Sequence, residues 1–214
     1  MAKQLTFKKV SGWGGKRKGA GRPNRTGQVS HGKRPKVDLK KPLHITMRLK
    51  KGAPKLRTQQ WLKEFTNSLL KAKDKGLAVL HFSLLNNHIH MIVEARSNKN
   101  LERGMKSLCG RLGKKLGGVL DGRFHLRMLP TPTEVRNALA YVLLNQAKHQ
   151  DLLAYVDQFS SAKFFPELKR LSKANPLLED FVAQAMPAYL STAKSWLANL
   201  GWKKVLSRPV TSYA

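Results

Sequence analysis

Leu43-His44-Ile45-Thr46-Met47-Arg48-Leu49 alternates between apolar and polar positions and is rich in β-formers, so it reads as a strand. The period then lengthens. Within residues 57–75, Trp61, Leu62, Phe65, Leu69 and Leu70 recur at helical spacing. Leu77 to Leu85 predicts a second strand and His88 to Ala95 a third, and the short Asn86-Asn87 link suits a tight antiparallel hairpin. Residues 99–116 carry Leu101, Met105, Leu108 and Leu112 on one helical face, and Arg123 to Leu129 reads as a fourth strand. Thr131 or Thr133 then caps a helix running to about His149, with Glu134 in its acidic first turn.

The order βαββαβα predicts an α+β fold. It is a ferredoxin-like antiparallel sheet (βαββαβ) with helices on one face, followed by an added helix. Beyond residue 150, short helical pieces and the aromatics Phe159, Phe164, Phe165, Trp196 and Trp202 predict a helical C-terminal tail packed on the domain. Ahead of the first strand the pattern fades. From Ser11 to Arg34 there is little apolar periodicity, and residues 1–60 hold 18 Lys and Arg against the single acid Asp38. The expected organisation is a flexible basic arm over 1–41, a catalytic domain over 42–150 and a helical tail over 151–214.

Charge narrows the function. The 214-residue chain carries 41 Lys and Arg against 12 Asp and Glu, a formal net charge of +29. A compact chain this basic repels itself unless a polyanion compensates, and counterion release favours binding to phosphates. Nucleic acid is therefore the expected partner. Gly19-Ala20-Gly21-Arg22-Pro23 resembles the core of an AT-hook, although a solvated tail gripping phosphates anywhere is the plainer reading. Arg22, Arg25, Lys33 and Arg34 are its candidate DNA contacts. The single cysteine, Cys109, excludes an intramolecular disulfide and reads as a small core residue. No run approaches the roughly 20 apolar residues that span a bilayer, and the basic start lacks a signal peptide's apolar stretch. The expectation is a cytoplasmic protein with no membrane partner.

Candidate chemistry centres on His88-Ile89-His90. On a strand, side chains at i and i+2 share a face, so the two imidazoles project together and can chelate one divalent ion. A lone pair of this kind is more often two polar residues on a solvated sheet face. The helix after Thr131 adds weight to the metal reading. Val135, Ala138, Leu139, Val142 and Leu143 form one apolar face, and Ala140, Leu144 and Ala147 a second nearly opposite. Between them runs a polar ribbon of Glu134, Asn137, Tyr141, Asn145 and Lys148, expected to lie open to a groove. Tyr141 and Asn145 are stacked neighbours at i and i+4.

Tyr141 is either an amphipathic filler or a nucleophile. A phenol, with a free pKa of about 10, needs a base or a positive ion to act at neutral pH. A divalent metal would polarise a scissile phosphate and stabilise the charge that builds there. Asn145 could supply a third ligand. A phosphotyrosine bond keeps the energy of the broken phosphodiester, so rejoining needs no ATP, and the sequence has no Walker motif. His81 and His125 fall on predicted strands and read as ordinary packing. Glu94 shares parity with His90 and is a weaker carboxylate candidate, as is Asp121.

Asn87-His88-Ile89-His90-Met91-Ile92-Val93-Glu94 resembles the His-hydrophobe-His (HUH) strand of single-tyrosine transposases. Arg136-Asn137-Ala138-Leu139-Ala140-Tyr141-Val142-Leu143-Leu144-Asn145 resembles their nucleophile helix. The likeness is to the REP-associated tyrosine transposases, with further matches at Arg123-Phe124-His125, Leu129-Pro130-Thr131-Pro132, Lys148-His149, Ser195-Trp196-Leu197 and Gly201-Trp202. Two departures stand out: Leu116 to Asp121 is shorter than the family's segment there, and Asn86 replaces a frequent Pro.

The resemblance implies a metal-dependent single-stranded DNA endonuclease and strand transferase that cleaves near hairpin (REP-like) DNA. Tyr141 would form a 5′-phosphotyrosine, while His88, His90 and Asn145 would bind Mg²⁺ or Mn²⁺. Arg123, Arg136 and Lys148 join the arm as candidate DNA contacts. A monomer is favoured and a dimer stays open, in a bacterial cytoplasm at the nucleoid. The alternative reading is a non-catalytic, domesticated protein that binds hairpin DNA or RNA.

Overall fold

The computed structural model describes residues 36–149, 156–171, 178 and 181–205, with side chains described for all of these except 145–149. Four strands and three long helices form the domain: β1 (Leu43–Arg48), α1 (Gln59–Lys73), β2 (Leu77–Leu84), β3 (His88–Ala95), α2 (Asn98–Lys115), β4 (His125–Met128) and α3 (Pro132–His149). The strands pair in the order β2-β3-β1-β4, every pair antiparallel. The fold is thus a mixed α+β arrangement on a four-stranded antiparallel sheet.

Each helix starts where the sequence offers a cap. The Thr58 side chain accepts from Trp61 N, and the Ser97 side chain accepts from Asn100 N at 3.0 Å. Thr131 Oγ1 accepts from Glu134 N at 3.2 Å and donates to Glu134 Oε2 at 2.9 Å, and Pro132 takes the first helical position. Between α1 and β2 the chain turns at Gly76, whose φ of +88° and contact with Asn100 leave no room for a side chain.

The strands' alternation sorts their residues onto two faces. Leu43, Ile45 and Met47 of β1 meet Ile89, Met91 and Val93 of β3 in one core with Phe65 and Leu69 of α1 and Leu101, Met105 and Leu108 of α2. Gly104 lets α2 settle on β2: a Cβ there would collide with the Leu77 side chain. The opposite face holds a second core. Leu80 and Ile92 meet Val135, Ala138, Leu139, Val142 and Leu143 of α3, with Phe165 and Trp202 from later in the chain. β3 is covered on both faces and lies almost wholly buried.

After α3, the described residues form short pieces rather than long helices. There is a 3₁₀ turn at Ala162–Phe164, then α4 (Leu168–Leu171), α5 (Trp196–Asn199) and a second 3₁₀ turn at Gly201–Val205. Over its described residues the tail is thus a strap of brief helical turns joined by irregular chain, in keeping with the short helical pieces expected there. Besides the hydrogen bonds that close its own turns, it bonds to the domain. Leu84 N donates to Phe159 O and Ser161 N to Phe82 O, both at 2.9 Å, which covers the β2 edge. Arg57 fixes this segment with two 2.9 Å bonds to the Asp157 carboxylate and a third, at 3.0 Å, to Leu84 O. Among the described residues no helix is long and apolar enough to cross a membrane.

Candidate active site

The sheet register assembles a polar face under α3. Cross-strand partners share a face, and the register pairs Thr46 with His90, Arg48 with His88, and His44 with Ile92. It continues outward to His125 and Arg127 on β4, and to His81 and Ser83 on β2. Five of the seven histidines, His44, His81, His88, His90 and His125, thus lie on one side of the sheet. Period-two alternation allowed this for His88 and His90. Only strand pairing brings in His44, which the sequence reading passed over.

Four rings crowd together there. His88 and His90 lie 4.6 Å apart between ring centroids, and Tyr141 of α3 stands 4.9 Å from His90, edge-on. His44 is 5.2 Å from His90 and 6.1 Å from Tyr141. The hairpin holds the strand start in place: Leu49 N donates to Asn87 O at 2.8 Å, and Leu85 N to His88 O at 2.9 Å. Asn87 Oδ1 can only accept, so its 2.6 Å contact puts a proton on His88 Nδ1.

Burial sets the charge state of this cluster. Desolvation, with smaller repulsion from His44, His88 and Arg48, pushes His90 down to about 3 from an ordinary 6.5. Desolvation likewise lowers His44 to about 4, helped by His125 and Arg127. Both rings are neutral at physiological pH, the state in which imidazole ligates metal.

The residues suit a divalent ion in one specific respect. His90 Nε2 is enclosed and has no hydrogen-bond partner among the described residues. His90 Nδ1, by contrast, lies 3.1 Å from Thr46 Oγ1 and 3.2 Å from His44 Nε2. A buried nitrogen left bare beside a second histidine is a ligand position in waiting. Among the described residues no three His, Cys, Asp or Glu side chains gather into a complete metal set. The expected third ligand, Asn145, lies on the α3 backbone with its side chain outside the described residues.

The other candidates separate. Glu94 shares His90's face, as parity requires, but its carboxylate accepts from Lys194 N at 2.8 Å, Ser195 N at 3.0 Å and Ser195 Oγ at 2.7 Å. It anchors the strap by holding Ser195, whose own side chain caps α5 by accepting from Ala198 N. Arg136 is corrected as a DNA contact: it is 0% exposed, so its guanidinium offers no surface to a strand, and burial lowers its pKa. The polar ribbon of α3 is not open along its length either, because Asn137 is only 6% exposed and Tyr141 is half-buried against the sheet. The helix is wrapped by the strap as well as by the sheet, which periodicity alone could not show. Arg123 is half-buried ahead of β4, and His81 sits against the Phe165 ring at 4.8 Å. Arg22, Arg25, Lys33 and Arg34 lie outside the described residues, as does the Lys148 side chain. Cys109 is partly buried against the first core.

Fold and site together define a four-stranded antiparallel α+β domain with a histidine–tyrosine cluster between its sheet and a covering helix. Searches among protein-family models and curated proteins find no match. Among solved structures, a REP-associated tyrosine transposase bound to a REP hairpin is similar, with a TM-score of 0.49 and 18% identity over 62% of this chain and 82% of that one. A likeness at that level decides nothing about this chain's chemistry, which rests on the cluster itself.

Proposed function

We propose that this chain is a metal-dependent single-stranded DNA endonuclease and strand transferase of the REP-associated tyrosine transposase kind. The observation that carries the reading is the Tyr141 ring 4.9 Å from His90, itself 4.6 Å from His88, on the same sheet face. The strand order β2-β3-β1-β4 is read as the ferredoxin-like one. A net charge of +29 supports a nucleic-acid substrate, taken here to be single-stranded DNA beside a hairpin. The protein is taken to act at the bacterial nucleoid as a monomer.

In this reading the Tyr141 hydroxyl oxygen attacks the scissile phosphorus. The new O–P bond makes a 5′-phosphotyrosine, the P–O3′ bond breaks, and the 3′ oxygen leaves as a hydroxyl while Tyr141 loses its proton. Rejoining is the reverse, with a 3′-hydroxyl attacking the phosphotyrosine. His88 and His90, with Asn145 as third ligand, would hold Mg²⁺ or Mn²⁺. The ion would supply Lewis-acid polarisation of the phosphate. The chain's own contribution is positional: β3 sets the two imidazoles on one face, burial keeps His90 neutral, and α3 places the phenol beside them.

The test is a denaturing gel of protein mixed with single-stranded hairpin DNA and Mn²⁺. A covalent protein–DNA band is expected from wild type, with none from Tyr141→Phe although that variant still binds DNA. A band from Tyr141→Phe removes the nucleophile assignment, and a wild-type band undiminished by excess chelator removes the metal. A second reading is a hairpin DNA- or RNA-binding protein without cleavage, which the net charge of +29 and the short Leu116 to Asp121 segment support equally. Binding without any covalent band would decide for it.

A further inference from the structure

His90 has two ring nitrogens in opposite situations. Nδ1 faces Thr46 Oγ1 at 3.1 Å and His44 Nε2 at 3.2 Å, whereas Nε2 is enclosed with no partner among the described residues. A neutral imidazole carries one proton and must place it on one of the two. On Nε2 that proton would be a buried donor without an acceptor, at a cost of about 1–3 kcal/mol. On Nδ1 it faces the Thr46 hydroxyl oxygen, which can accept, and His44 Nε2, which accepts when His44 carries its own proton on Nδ1. We propose that Thr46 and His44 are positioning residues, which hold His90 as its Nδ1-protonated tautomer and so keep the Nε2 lone pair bare for a metal ion.

The arrangement is built into the sheet rather than into a loop. Thr46 is the cross-strand partner of His90 in the β1–β3 register, and His44 is the next residue along β1 on the same face. Both are held by strands whose other faces lie in the first core, where Ile45, Met47, Ile89 and Met91 are each no more than 2% exposed. The register that sets Thr46 and His44 beside His90 is therefore fixed by the core on the other face. A ligating histidine generally has its second nitrogen tied to a partner that fixes tautomer and orientation. Here a hydroxyl and a second imidazole take that place.

The inference rests on the proposed metal role of His90, yet the tautomer can be read without metal. Imidazole-labelled, metal-free protein at about pH 7.5 would be examined by long-range ¹H–¹⁵N correlation. Wild type and Thr46→Ser should both show His90 protonated on Nδ1. The double variant Thr46→Val with His44→Phe should move the proton wholly or partly to Nε2. Thr46→Val alone, close to isosteric, should shift it part-way and serves if the double variant does not fold. His90 protonated on Nε2 in wild type, or a tautomer indifferent to these substitutions, overturns the proposal.

Calorimetric titration with Mn²⁺ on the same samples separates the two claims. Affinity should fall about 10- to 100-fold in the double variant and return in Thr46→Ser. Equal affinity despite a changed tautomer would refute the positioning role. A wild type that binds no Mn²⁺ while keeping the Nδ1 proton would instead sink the metal reading of the site.

Discussion

Glu94→Gln keeps the shape of the side chain but gives it an NH₂ in place of one oxygen. The wild-type carboxylate is buried, at 8% exposure, and accepts three hydrogen bonds: Lys194 N at 2.8 Å, Ser195 N at 3.0 Å and Ser195 Oγ at 2.7 Å. Two of these come to Oε1 and one to Oε2, so either orientation of the amide sets an N–H against a donor. Hydrogen bonds to charged acceptors contribute about 1.5–3 kcal/mol each. Losing one or two of them costs about 2–4 kcal/mol. For a domain of this size 1 kcal/mol moves Tm by about 2–4 °C, so a fall of about 5–15 °C is expected by calorimetry. Local release is the other expected sign, with faster proteolytic cutting near Lys194 before global unfolding. An unchanged Tm together with unchanged cutting at Lys194 would refute the anchoring role. Loss of Mn²⁺ binding at constant stability would return Glu94 to the ligands it was first considered among.

Asp157→Ala should be more damaging still, because it strands Arg57, whose side chain is only 13% exposed, beside the β2 edge. About 3 kcal/mol is expected, read as a lower urea midpoint, and an unchanged midpoint would show the pair to be dispensable. Gly104→Ala should cost about 1–3 kcal/mol by forcing α2 away from Leu77, whereas Gly110→Ala, with nothing within 4 Å, should be neutral or slightly stabilising. Equal effects at the two glycines would contradict the close approach. The metal-free protein should also be acid-sensitive. Burial lowers His44 and His81 to about 4 and His90 to about 3, so the unfolded chain takes up protons near 6.5 that the folded chain refuses. Stability is full above about pH 6.5 and drains as pH falls towards 4, by up to about 3 kcal/mol for each ring. His81→Gln should flatten the slope of the urea midpoint between about pH 7 and 4.5, and parallel slopes for variant and wild type would contradict this.

Period and caps alone located the main elements to within a residue or two. The strand alternation of Leu43 to Leu49, the helical spacing from Trp61 to Leu70 and the Thr131 cap each arise from interactions within a few residues, which sequence order already contains. The same holds for His88 and His90, whose shared face follows from the two-residue repeat of a strand. Charge is equally local information: 41 basic residues against 12 acidic ones point to a polyanion whatever the fold. The enclosure of α3 was not legible, because apolar spacing cannot say how many neighbours a helix has. Arg136 therefore read as a surface contact and is buried. Nor could spacing show Glu94 bonded to Lys194 and Ser195, about a hundred residues away. His44 and Thr46 belong to the same class. They meet His90 only because β1 lies between β3 and β4 in one particular register, and register is a tertiary fact: it is set by which faces the two cores bury, not by any residue's neighbours in the chain.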